Sequence, residues 1–404
     1  MVITPTTEIR SHFPALSRIH NGRQVAYFDG PGGTQVPGAV GEAMLDYLYH
    51  HNANTHWAYP SSEETDRMVA ASRVALADFL NGKPDEVVFG QNMTSLTFHL
   101  ARGLGRKWGP GDEIVVTELD HHANRAPWET LVVERGVTIR VVPFRPDTGE
   151  LDWEALDDAI GPKTRLVAVG GASNALGTIN DVARVSRLAR ARGALSFVDA
   201  VHYAPHVLVD VPAIGCDLLA CSPYKFYGPH QGVLWGRAEV LAAVDTPKLA
   251  PAPDAAPEKL ETGTPSHEGM VGSAAAVNYL ASLAPGAVGR RAALEAVFGE
   301  LHHRELSLFR RLWDGLGAIR GVTRYGPGVD RPRTTTVAFT VAGRSAEAVA
   351  RHLAQRGLFL SHGDFYAASV VEKLGVEALV RAGIACYTSE GEIDRLVEGV
   401  AELR

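Results

Sequence analysis

Between residues 86 and 236 the chain alternates short β-branched runs with helical stretches, and this limits the fold more than any other feature of its 404 residues. The runs are EVVFG (86–90), EIVVTE (113–118), VTIRVVPF (137–144), RLVAVG (165–170), LSFVDA (195–200), DLLAC (217–221) and GVLWG (232–236). Most are apolar throughout rather than alternating, which suits strands buried on both faces. One intervening stretch, NDVARVSRLARAR (180–192), sets Val182, Val185 and Leu188 on one helical stripe and is stopped by Gly193. Such alternation predicts a mostly parallel α/β sheet. Upstream, Ser61 with Glu64 reads as a capping box opening a helix with Met68, Ala75, Leu76 and Phe79 on one face.

After residue 262 the texture changes. Leu294, Val297, Leu301, Leu308 and Leu312 predict a long helix over 290–315. TTVAFTV (335–341) reads as a half-buried strand with Val337, Phe339 and Val341 inward. A helix ends at Gly357, Ser389 with Glu392 caps the last helix, and PAPDAAP (251–257) reads as a connector. The expected organisation is an N-terminal segment, 1–22, packing with the small domain; a large α/β domain, 23–262; and a small C-terminal α+β domain, 263–404.

Composition narrows the partners. Lys and Arg number 39 against 46 Asp and Glu, a formal charge of −7 with no basic tract, so neither nucleic acid nor a membrane surface is expected. The three cysteines, Cys216, Cys221 and Cys386, form no CxxC pair, which argues against a disulfide framework or a zinc ribbon. The opening MVITPTTEIRSHFPALSRI lacks a basic head before an apolar run, so no signal peptide and a cytoplasmic setting are expected.

Two motifs carry chemistry. In SPYKFYGPH (222–230), Lys225 follows an apolar strand and precedes a Gly-Pro turn. Burial there would lower its pKa, and a neutral amine is what condenses with an aldehyde; the competing reading is a strand-end lysine reaching solvent. In FVDAVHYAPH (197–206), Asp199 ends a predicted strand, at the sheet edge where open α/β folds bind ligands. A carboxylate there can pair with a protonated pyridine nitrogen; the competing reading is a helix N-cap. The two lie 26 residues apart on neighbouring predicted strand ends, which weakens both competing readings.

Together with YFDGPGGTQVP (27–37) and RAGIACYTSEGEIDRL (381–396), these motifs resemble the class V aminotransferase family of fold-type-I pyridoxal 5′-phosphate (PLP) enzymes. The resemblance is closest to the cysteine desulfurase and selenocysteine lyase branch. It implies a large mostly parallel sheet domain that binds PLP plus a small α+β domain, with Lys225 as the Schiff-base lysine and Asp199 as the pyridinium partner. It implies that His121 stacks on the ring, that His202, where glutamine is usual, contacts the phenolic oxygen, and that Asn174 lies near that oxygen and the substrate carboxylate. Met93 and Thr94, at a predicted helix start, and Ser222 match phosphate contacts; a helix N-terminus suits a dianion. Thr264 matches a threonine reaching the neighbouring subunit's phosphate, which implies a homodimer. Arg381 matches the arginine that forks the substrate α-carboxylate; the competing reading is a surface ion pair, for instance with Glu377.

The chain departs from the desulfurase pattern in FLSHGDFYAASVV (359–371), which contains no cysteine where that branch carries one on a mobile loop. The corresponding position falls at about Tyr366, and Tyr224 replaces the histidine usual before the lysine. The three cysteines read as buried small hydrophobes. The leading expectation is a PLP lyase that eliminates a leaving group from an amino-acid β-carbon without an enzyme persulfide, with Asp364 or Tyr366 meeting the side chain. An aminotransferase or epimerase, and an inactive PLP-fold binding protein, remain alternatives. A nicotinamide enzyme is disfavoured because no GxGxxG follows a strand.

Overall fold

The β-branched runs fold into one seven-stranded sheet in a computed structural model that describes residues 3–403; the outermost residues of the expected terminal regions, 1–2 and 404, lie outside that range. The strands are β1 (Val87–Gly90), β2 (Glu113–Thr117), β3 (Thr138–Val142), β4 (Thr164–Gly170), β5 (Leu195–Asp199), β6 (Leu218–Cys221) and β7 (Gly232–Gly236). Their order is β1-β7-β6-β5-β4-β2-β3. Only β7 runs antiparallel to its neighbours. The sheet is therefore mostly parallel, as expected, and its inner strands are buried on both faces. Helix α1 (Pro60–Leu80) covers one face; α2 (Met93–Gly105) and α3 (Ala126–Arg135) cover the other; α4 (Val182–Ala191) lies with α1.

Helix α5 (His267–Ser282) packs on α1 and leads into α6 (Arg290–Gly317). A second sheet follows, from β8 (Val322–Tyr325), β9 (Thr336–Val341), β10 (Ser361–Gly363) and β11 (Leu379–Gly383), in the antiparallel order β8-β9-β11-β10. It shares a core with α6, α7 (Ala346–Gln355) and α8 (Glu390–Ala401). Near the N-terminus, Arg10 forks onto Glu392 of α8 at 2.8 and 2.9 Å. Gly357 follows α7 with φ +71°, and Ser389 and Glu392 form the expected capping box.

Three local expectations are corrected. Helix α1 opens without a Ser61–Glu64 box: Tyr59 is the N-cap residue and Pro60 takes the first turn, where its missing N–H is no loss. Ser62 accepts from the Trp57 N–H at 2.9 Å, and Glu64 pairs with His51 at 2.7 Å. The 137–144 run is not one strand. Pro143 cannot donate to a ladder, so β3 ends at Val142 and Phe144–Arg145 forms a separate hairpin with Glu150–Leu151. Strand β9 is buried on both faces rather than half-buried, because Ala338 faces the larger core while Val337, Phe339 and Val341 face the helices.

Candidate active site

The C-terminal ends of β5 and β6 open onto a cavity of about 570 Å³. Asp199 closes β5 in register with Gly170 and Ala220, so its carboxylate stands at the edge of three parallel strands. Lys225 sits just past β6, in a short turn running from Ser222. Both line the cavity, with Met93, Thr94, His121, Asn174, His202, Ser222, Tyr366 and Arg381. Asp364 does not line it: its Oδ1 accepts from the Tyr366 N–H at 2.9 Å and ties the loop. Thr264 is exposed, away from the cavity of its own chain.

Burial sets the electrostatics. The Lys225 amine is lowered to about 7 by burial and then by the Arg381 charge, against the opposing pull of Asp29 and Asp199. Its Nζ donates to the Pro31 carbonyl and lies 5.0 Å from the centroid of the Tyr224 ring. Burial raises Asp199 to about 6, offset by the Val201 N–H, which its Oδ1 accepts at 2.9 Å, and by Lys225. His121 is lowered to about 4, first by burial and then by Lys225 and Arg381, so its ring is neutral. Its Nδ1 accepts from the Ala123 N–H at 3.0 Å, leaving the proton on Nε2. Arg381, in the interior of β11, is lowered to about 10 by burial and stays charged.

The α2 N-terminus meets the cavity at Asn92, Met93 and Thr94. The first N–H groups of a helix have no intrahelical acceptor. Asn92 is the N-cap, and its Oδ1 accepts the Ser95 N–H at 2.8 Å.

The loop after β10 roofs the cavity. Arg381 donates to the Asn174 carbonyl at 2.9 Å and to Ser361 Oγ at 3.2 Å, and the Phe365 ring lies 4.0 Å from its guanidinium carbon. Asn174 Nδ2 donates to the Phe365 carbonyl at 2.9 Å, and the His122 N–H to the Tyr366 carbonyl at 2.8 Å. The Tyr366 ring is 5.4 Å from His121, tilted by 37°. Phe365 and Tyr366 adopt φ +58° and +57°, an uncommon left-handed pair for bulky residues.

Asp120, Pro31 and Phe365 were not singled out in the sequence. Asp120 is buried beside Asp199, accepts the Gly170 N–H at 2.5 Å, and is raised to about 8 by burial and then by Asp199. A Cβ at position 170 would stand 2.6 Å from that carboxylate, which is why glycine ends the strand there. None of the three cysteines lines the cavity and all are buried, although Cys221 directly precedes Ser222. Burial pushes Cys216 up to about 12 and raises Cys221 and Cys386 further.

A family model described as Aminotransferase class-V matches residues 26–396. A cysteine desulfurase of Serratia proteamaculans is 32% identical over 416 residues, covering 99% of this chain and 98% of that protein. One from Klebsiella pneumoniae strain 342 is 34% identical, covering 98% and 97%. The apo structure of the cysteine desulfurase from Thermococcus onnurineus NA1 superposes with a TM-score of 0.89 at 30% identity, covering 100% of this chain and 98% of that one. The chain belongs to the class V aminotransferase family. Within it, the chain is a cysteine desulfurase-like enzyme.

The cofactor that goes with this membership, PLP, fits the donor set. Buried His202 Nδ1 and Asn174 Oδ1 have no partner among the described residues, a buried carboxylate stands at the sheet edge, and a helix N-terminus is open to a dianion.

Proposed function

We propose that this enzyme cleaves the Cβ–S bond, or a related bond, of a β-substituted amino acid by α,β-elimination, without an enzyme persulfide. The observation that carries this reading is the loop over the cavity, which brings Phe365 and Tyr366 to the reaction space while every thiol is buried and none lines the cavity. A persulfide route needs an exposed thiolate of lowered pKa, and all three thiols are shifted the other way.

When PLP is bound, Lys225 would hold it covalently, Asp199 its ring nitrogen, His202 and Asn174 its phenolic oxygen, and Met93, Thr94 and Ser222 its phosphate. When bound, the cofactor supplies an electron sink for charge developing at the substrate α-carbon. The Lys225 amine, released near neutrality by burial, takes the α-proton. Arg381 forks the α-carboxylate. Neutral His121 would cover the cofactor face, and Tyr366 would meet the leaving group.

Thr264, exposed and off its own cavity, completes the site of a second copy in a homodimer. Exposed Leu45, Leu48, Tyr49, Trp57 and Tyr59 support such an interface. Among the described residues no helix is long and apolar enough to cross a membrane, and we place the enzyme in the cytoplasm.

The test is product identity. Elimination from cysteine consumes one water and yields pyruvate, ammonia and sulfide in equal amounts; desulfuration yields alanine and leaves sulfur on a thiol. Equimolar pyruvate and sulfide are expected from cysteine or a β-substituted analogue. Alanine as the main carbon product would overturn the reading.

A further inference from the structure

Thr334 and Thr336, neither of which lines the cavity, meet the ring of His202 from the far side. Thr334 Oγ1 lies 3.1 Å and Thr336 Oγ1 3.2 Å from His202 Nε2. The other ring nitrogen, Nδ1, is buried and has no partner among the described residues. We infer that Thr334 and Thr336 are positioning residues that hold His202 in the tautomer with its proton on Nδ1, so that it donates to the cofactor's phenolic oxygen. This rests on the proposed role of His202 toward PLP.

The argument is a proton count. Both hydroxyls are buried, with side-chain hydrogens that need acceptors. Among the described residues, His202 Nε2 is the side-chain partner of each, and neither hydroxyl has another. A protonated Nε2 would leave both hydroxyl protons without an acceptor and would turn a bare Nδ1 lone pair toward an electron-rich phenolic oxygen. A bare Nε2 offers one lone pair, which takes one hydroxyl proton or shares itself between the two, and it leaves Nδ1–H as a donor. A doubly protonated ring is opposed by its burial and by the groups around it: His206, whose ring is 5.2 Å away, Lys225 after β6 and Arg381 on β11. Glu305 stands behind His206 at 3.6 Å and is also tied to Thr335, so it is not free to charge the His202 ring.

The arrangement joins the two sheets chemically. Thr336 opens β9 of the small sheet and Thr334 lies just before it, whereas His202 follows β5 of the large one. The small-sheet strand thereby sets how strongly the large sheet polarises the cofactor, in the manner of an outer group fixing the tautomer of a liganding histidine.

The test uses the cofactor-loaded protein with 15N-histidine. Long-range proton–nitrogen spectra of His202 should show Nδ1 protonated and Nε2 bare. Thr334→Val/Thr336→Val should mix or reverse that pattern, and the serine pair should restore it. In parallel, the pH midpoint of the bound cofactor's colour change should rise by about one unit in the valine pair, because a donor to the phenolic oxygen lowers that midpoint. Protonated Nε2 in the unaltered protein overturns the inference. So does an unmoved or lowered midpoint in a folded, loaded valine pair. If the valine variants fail to fold, the spectrum of the unaltered protein decides alone. Failure of the unaltered protein to bind PLP would sink the functional reading instead, and the tautomer is then read on the cofactor-free protein.

Discussion

Replacing Lys225 by methionine should stabilise the cofactor-free protein. The amine falls from an ordinary 10.5 to about 7 on folding, chiefly through burial. At pH 7 the unfolded chain keeps that proton almost fully and the folded chain keeps about half of it. At about 1.36 kcal/mol per pH unit, the mismatch destabilises the folded state by about 4 kcal/mol. Lys225→Met removes the charge and keeps much of the volume, but it leaves the Pro31 carbonyl without its donor, which costs about 1 kcal/mol. The net gain is about 3 kcal/mol. With about 2.1 cal/mol/K of unfolding entropy per residue, this raises the melting temperature by about 3–4 °C. The sign with pH is fixed. The penalty is fully present below pH 7 and is lost as pH rises through 10.5, so by pH 9 the advantage of the variant falls to about 1 kcal/mol. Calorimetry of the two cofactor-free proteins at pH 7 and pH 9 reads this directly. A methionine variant less stable than the parent at pH 7, or a gap indifferent to pH, would refute the burial argument and with it the claim that Lys225 is primed as a neutral amine.

Three further outcomes follow from the site. Asp199→Ala should cut turnover by about a hundredfold or more, since it removes the charge opposite the ring nitrogen, with little loss of stability because the buried carboxylate is itself strained toward protonation; steady-state kinetics with thermal melts would expose the opposite pattern. Arg381→Lys should raise KM about tenfold or more, because a point charge cannot reproduce a two-pronged carboxylate contact; an unchanged KM would place the substrate carboxylate elsewhere. Thr264→Ala should weaken PLP retention in a protein that sediments as a dimer, and an active monomer in sedimentation would contradict the shared site.

The site was legible in the sequence where chemistry follows from strand order. Asp199 ends one strand and Lys225 follows its parallel neighbour, so their spacing suggested a shared edge. Phe365 was not legible. Its contact with Arg381 depends on a left-handed turn and on Asn174 reaching across from the large sheet, neither of which leaves a local signature. Asp120 leaves no local signature in the sequence beside His121, although its burial against Gly170 ties it to Asp199. Asp364 was read as facing substrate because it is charged and lies on the loop; its carboxylate is used by the backbone of that loop. The misread start of α1 and the split of the 137–144 run both trace to proline, whose missing N–H overrode the surrounding pattern.

The central claim is that sulfur leaves the substrate without touching an enzyme thiol, and removal of every thiol tests it most directly. In a variant with Cys216, Cys221 and Cys386 all changed to alanine, checked first for folding and bound PLP, sulfide release from cysteine should continue at close to the parent rate. Loss of that release, together with substrate sulfur trapped on one of the three cysteines in the parent protein, would contradict the account and identify a desulfurase with a displaced nucleophile.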